Sequence, residues 1–166
     1  MYRVLHTLRP ATLQELASDG ALNLRITLTR TRTPAGTPIQ GTAIFTNRTS
    51  APVSVDTCAA DGWLDVGLSS HTVPYAPAYS AIACTPSVWL AVGVTRTPFT
   101  VLTTYQGCSQ SGPGSSRYPP CDPGDRLPSL PAGTYHTDVI TSGLPATTRA
   151  PNVVTVTLTH EGSERG

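Results

Sequence analysis

The sequence predicts an all-β domain built as a sandwich of two antiparallel sheets, on three observations. Apolar residues recur at a period of two in short Thr- and Val-rich runs, Gly, Pro, Asn and Ser fill the gaps between the runs, and after Gly20 no segment shows helical spacing. A parallel sheet needs helices between its strands, and none is offered there. The chain has 166 residues, 39% of them hydrophobic. That suffices for one domain, since a chain of about 150 residues buries roughly 68–70% of its unfolded surface on folding.

The start of the chain differs from the rest. Thr12 and Glu15 form a capping box and Gly20 closes the turn, so a short helical segment is expected between Pro10 and Gly20. A helix of one or two turns is marginal alone in water. Residues 1–20 therefore read as an N-terminal segment, 21–160 as the sandwich and 161–166 as a C-terminal tail.

The best strand follows at once: Leu22, Leu24, Ile26 and Leu28 alternate with Asn23, Arg25, Thr27 and Thr29. Pro34 to Pro38 turns the chain into a β-rich run from Ile39 to Thr46, and Asn47-Arg48-Thr49-Ser50 turns it again into Val53 to Asp56. Further strands are expected at Leu64–Leu68, Val88–Val92, Phe99–Tyr105, Thr134–Thr141 and Asn152–Thr159, about seven to nine in all for such a sandwich. Alternation turns Leu24, Ile26, Leu28, Phe45, Val55, Leu90, Tyr135, Val154, Val156 and Leu158 inward. Trp89, inside an apolar run, is expected in the core as well. Trp63 follows Asp61-Gly62 and reads either as an exposed contact for a sugar or partner or as cover for the sandwich end.

Charged residues make up 13% of the chain and the formal net charge is +1. No electrostatic hold on nucleic acid is expected from that balance. Arg25, Arg30 and Arg32 are the densest basic group and read as a solvated strand edge, which discourages pairing with other chains. No run approaches the ~20 apolar residues of a membrane span.

The four cysteines are Cys58, Cys84, Cys108 and Cys121. The first two bracket two candidate strands, and the last two bracket Ser109 to Ser116, a Gly-, Ser- and Pro-rich loop. The expected pairs are Cys58–Cys84 and Cys108–Cys121. An even count without C-x-x-C favours disulfides, hence an extracytoplasmic, secreted or envelope location. The opening Met1 to His6 lacks the apolar stretch of a secretory signal.

Two sets of residues carry a resemblance. Gly36-Thr37-Pro38-Ile39-x-Gly41, Thr46-Asn47-Arg48-Thr49 and Pro52-Val53-x-Val55, with Leu130-Pro131-Ala132-Gly133-Thr134-Tyr135 later, are similar to bacterial immunoglobulin-like domains. These are the domains of intracellular proteinase inhibitors and of uncharacterised secreted actinobacterial proteins. The likeness spans most of Leu22 to Thr159 and implies an immunoglobulin-like antiparallel β-sandwich. The absence of lysine beside abundant Ala, Thr, Pro and Arg fits an actinobacterial source. Tyr135 is then expected to bond its hydroxyl to upstream backbone, a stabilising device of such folds.

Chemical motifs are sparse. His6, His71, His136 and His160 are far apart in sequence, and His136 is expected to point outward, opposite to Tyr135. Ser69-Ser70-His71 with Asp65 invites a triad reading, but triads are recognised by geometry rather than by proximity along the chain. Asp122-Pro123-Gly124-Asp125 reads as a turn, because two carboxylates fall short of the 6–8 oxygen ligands of calcium. Asn47-Arg48-Thr49 is formally a glycosylation sequon and reads as a turn with Asn in a left-handed conformation.

The expected protein is thus no enzyme, with no cofactor and no metal. It is expected to be a binding or scaffold module of the cell envelope with a protein partner. The alternatives are a protease inhibitor presenting the stapled loop from Gln106 to Pro128, or a structural component of a surface or virion assembly. Binding is expected at Arg117, Tyr118 and Arg126 on that loop, because Tyr and Arg dominate contact hot spots, and at Trp63.

Overall fold

The alternation read at Leu22 persists through the chain as strands. The computed structural model describes residues 20–55, 64–81, 88–110, 117–141, 143–145, 148–149 and 151–160, and among these every regular element is a strand. The helical segment expected before Gly20, the Cys58–Cys84 pair and Trp63 lie outside the described residues.

β1 (Leu22–Leu28), β3 (Ile39–Asn47) and β8 (Gly93–Val101) form an antiparallel sheet in the order β1-β3-β8. The second sheet contains β2 (Arg32–Pro34), β10 (Thr155–Thr159), β9 (Gly133–Ile140), β5 (Asp65–Ser69) and β6 (Tyr79–Ala81), ordered β2-β10-β9-β5-β6. β2 runs parallel to β10, and the remaining pairs are antiparallel. β4 (Val53–Val55) and β7 (Val88–Leu90) pair separately.

The inward residues of both sheets meet in one core, in which Ile26, Phe45, Val66, Leu68, Val156 and Leu158 are at most 2% exposed. Leu24, Val55, Leu90 and Tyr135 are buried with them, while Leu28 and Val154 pack half-buried at the margin. Trp89 is not in the core. It is 49% exposed, because alternation in β7 sends its side chain away from the face that buries Leu90.

Among the described residues ten strands form, where seven to nine were expected. β2 and β6 have only three residues each and lie at the two edges of their sheet, so they bury too little to carry an apolar pattern. β8 starts at Gly93 rather than Phe99, since its first half is partly exposed edge strand and only Phe99 and Val101 reach the core. Arg25 and Arg32 are exposed on the edge strands β1 and β2, as read. The outer edge of β1 is also covered locally. The Asn152 amide accepts from the Ile26 N–H at 2.9 Å and donates to the Ile26 carbonyl at 3.1 Å, in place of a neighbouring strand.

The end of β3 shows what the Asn47-Arg48-Thr49 turn is for. Asn47 is 2% exposed; its amide donates to the carbonyls of Ala51 and Leu90, each at 3.0 Å, and its oxygen accepts from Thr49 N at 2.9 Å and Thr49 Oγ1 at 2.7 Å. The turn reading holds, but the left-handed Asn does not. Among the described non-glycine residues Asp125 has positive φ, and Asn47 ends a strand whose side chain satisfies the turn.

Candidate functional site

The stapled loop grows out of two limbs locked together by backbone. Beyond β8, Leu130 N–H donates to the Thr103 carbonyl at 2.9 Å and Tyr105 N–H to the Pro128 carbonyl at 3.0 Å. Ala78 N–H donates to the Thr104 carbonyl and Gln106 N–H to that of Ala76, which ties in the segment before β6. Tyr105 is buried and meets Tyr75 edge to face, with ring centroids 5.6 Å apart. Burial pushes the Tyr105 hydroxyl pKa up.

Cys108 and Cys121 are joined, with Cα atoms 4.8 Å apart. Ser109 N–H donates to the Pro119 carbonyl at 2.8 Å and Cys121 N–H to the Ser109 carbonyl at 3.1 Å, so backbone pairing supports the bridge. The Tyr118 ring packs against Gly107. A Cβ at Gly107 would stand 2.6 Å from the ring, so the close approach requires glycine. The Arg117 guanidinium stands 5.4 Å from the centroid of the Tyr118 ring.

On the far side of the bridge, Asp122 and Arg126 exchange backbone hydrogen bonds across a turn whose Gly124 and Asp125 are left-handed. This is the turn expected over Asp122–Asp125. Arg126 Nε donates to the Pro123 carbonyl at 3.1 Å, bending the side chain over that turn. An open depression of about 270 Å³ is lined there by Gly36, Thr104, Asp122, Arg126, Leu127 and Ser129. Arg117 and Arg126 are exposed and Tyr118 is half-buried, so the loop presents three of the residues singled out from sequence.

The outer face of the second sheet holds an arrangement that the sequence reading missed. Tyr79 on β6 crosses Gly67 on β5 and donates its hydroxyl to Asp138 Oδ2 on β9 at 2.5 Å, spanning three strands. A Cβ on Gly67 would lie 2.8 Å from the Tyr79 ring. Burial first, then the bond to Asp138 and its charge, push the Tyr79 hydroxyl pKa up to about 12. A glycine inside a strand run was the available signal, since it often marks such an approach.

Beside that clamp, Ser69, Ser70, His71, Thr72, Thr134 and His136 line a second depression of about 260 Å³. His136 points outward, as expected from its place opposite Tyr135. Asp65 starts the strand that Ser69 ends, four residues away or roughly 13 Å. Ser69, His71 and Asp65 therefore make no triad. Among the described residues no three metal-ligating side chains cluster, and no helix is long and apolar enough to cross a membrane.

No family model matches the chain, and no curated protein does. A solved structure similar to it is a β-glucosidase from Listeria innocua in complex with glucose, at 13% identity and a TM-score of 0.47, covering 82% of this chain. The chain spans 16% of the length of that protein. The expectation that the chain is no enzyme is not carried further: the similar structure is that of a glycosidase, and a likeness so distant assigns this chain neither a reaction nor the lack of one.

Proposed function

We propose that the chain is an immunoglobulin-like β-sandwich that serves outside the cytoplasm as a binding or scaffold module of the cell envelope, holding a protein partner through the stapled loop. The strand orders β1-β3-β8 and β10-β9-β5-β6 support this reading, because on it they would take the places of strands A-B-E and G-F-C-C′. Tyr135, near the start of β9, donates its hydroxyl to the Pro131 carbonyl at 2.8 Å, the bond that such folds make at that corner. The disulfide supports an oxidising compartment.

The observation that carries the reading is the Cys108–Cys121 closure. It fixes the segment that carries Arg117 and Tyr118, and the Asp122–Arg126 backbone pair sets Arg126 just beyond it, so these side chains lose little entropy when a partner docks. The test compares partner capture from an envelope extract by the wild-type domain and by the triple variant Arg117→Ala, Tyr118→Ala, Arg126→Ala. Anchor residues of this type cost about 1 kcal/mol or more each when truncated, so capture should fall more than about tenfold. Equal capture by a folded triple variant overturns the assignment.

A further inference from the structure

We propose that the outer face of the β1-β3-β8 sheet docks an acidic amphipathic helix of a partner protein. This surface is distinct from the stapled loop. Register sets Arg25 of β1, Ile44 of β3 and Arg96 of β8 in one row across the sheet, on the face turned away from the core. Both arginines are exposed, and Ile44 is half-buried between them. The three strands contain no carboxylate. The described carboxylates, Asp65, Asp122, Asp125 and Asp138, belong to the second sheet or to the stapled loop, so a net charge of +1 conceals a basic face.

Spacing selects the form of the occupant. Neighbouring strands are about 4.8 Å apart, which separates the two arginine Cα atoms by roughly 10 Å with Ile44 midway. In an extended segment alternate residues share a face at roughly 3.3 Å per residue, so its acids would stand about 7 or 13 Å apart. A helix sets positions i and i+7 about 10.5 Å apart on one face. Acids there meet the two arginines, while an apolar residue at i+3 or i+4 covers Ile44.

The apolar content favours a protein over an anionic polymer. Val94 and Pro98 stand on either side of Arg96 along the same face and both are exposed, Val94 by 52%. A protein interface joins such apolar area to charged surroundings, whereas a sulfated or phosphorylated chain has nothing apolar to lay on it. Guanidinium forks also grip carboxylates in bidentate fashion. A second copy of this chain fits poorly, because a two-fold contact through this face would set arginine against arginine.

The test is fluorescence anisotropy of a labelled alanine-based helical peptide with Glu at i and i+7 and Leu at i+3 and i+4, titrated with the full chain at low salt. Saturable binding that weakens as salt rises is the expected result, with a loss of more than about tenfold when Gln replaces both Glu residues of the peptide. Arg25→Gln and Arg96→Gln should each weaken binding about threefold, and together more than about tenfold. Both replace exposed side chains, and near-ultraviolet dichroism checks that the fold is kept. The double variant Arg25→Glu, Arg96→Glu should lose the acidic peptide and take up its counterpart with Lys in place of Glu, an exchange that damage to the fold cannot produce. Arg32→Gln, on β2 of the other sheet, is the control and should leave the titration unchanged. Binding weaker than about 1 mM, or equal binding by the double glutamine variant, overturns the proposal. So does tighter binding of heparin than of the peptide, or self-association of the free chain that the double glutamine variant abolishes.

Discussion

Replacing Tyr135 by Phe removes one oxygen at the corner that leads into β9 and leaves the ring in place. Tyr135 is 2% exposed and its hydroxyl donates to the Pro131 carbonyl at 2.8 Å. A neutral hydrogen bond contributes about 0.5–1.5 kcal/mol net, and the carbonyl of Pro131, an exposed residue, can turn to water once the hydroxyl is gone. The loss at pH 7 should therefore be about 0.5–1.5 kcal/mol. For a domain of this size that is a fall in melting temperature of roughly 1–6 °C.

The same hydroxyl makes the loss depend on pH. Burial first, and the proximity of Tyr105 second, push its pKa from 10.0 up to about 12. The folded state thus holds its proton where the unfolded chain releases it, and the stabilisation is complete below pH 10 and lost as pH rises through 12. At about 1.36 kcal/mol per tenfold change, the ceiling is near 3 kcal/mol, and solvent screening around a part-buried bond reduces this to about 1–2 kcal/mol. The Tyr135→Phe variant has nothing to titrate at that position, so the wild-type advantage should shrink between pH 10 and 12. Tyr79, raised to about 12, contributes a similar slope to both proteins and cancels in the comparison. Urea unfolding at pH 7 and pH 11 decides the matter. An unchanged midpoint at pH 7, or a constant gap between the two proteins up to pH 12, would refute the reasoning.

Three further outcomes are expected. Replacing both Cys108 and Cys121 with Ser opens a loop with a sequence separation of 13 and should cost about 3 kcal/mol on the chain-entropy model, a large share of the roughly 5–15 kcal/mol of a typical domain; an unaltered denaturation curve would contradict it. Gly67→Ala drives a methyl group into the Tyr79 ring, so spectrophotometric titration should show one tyrosine moving from about 12 back towards 10 as the bond to Asp138 breaks, and an unchanged titration would show that the ring yields without losing it. Asn47→Ala strands the Leu90 carbonyl and the Thr49 N–H and should cost roughly 3 kcal/mol or more, and Asn47→Asp should not rescue it because a carboxylate cannot donate; equal chemical stability of Asn47→Asp and wild type is the contrary result.

By itself the sequence determined the strands that bury one face, from Leu22–Leu28 to Thr155–Thr159. Alternation is local, and a half-buried strand must display it. It also carried the Tyr135 hydroxyl bond and the Cys108–Cys121 closure, because a tyrosine just after Pro131-Ala132-Gly133-Thr134 and two cysteines around a loop are short-range features. The outward Trp89 has a local cause as well: Trp89 and Leu90 are neighbours, and a strand with one buried face takes only one of them inward.

Only the tertiary structure decided what depends on partners distant in the chain. β2 and β6 exist because β10 and β5 offer them backbone groups, and their own three residues bury too little to announce a strand. The Tyr79 clamp over Gly67 and the placing of His136 beside Ser69 follow from the register of β6, β5 and β9. A one-residue slip in that register would send the side chains to opposite faces of the sheet. Register is set by the summed packing of both sheets, and no window of sequence contains that sum.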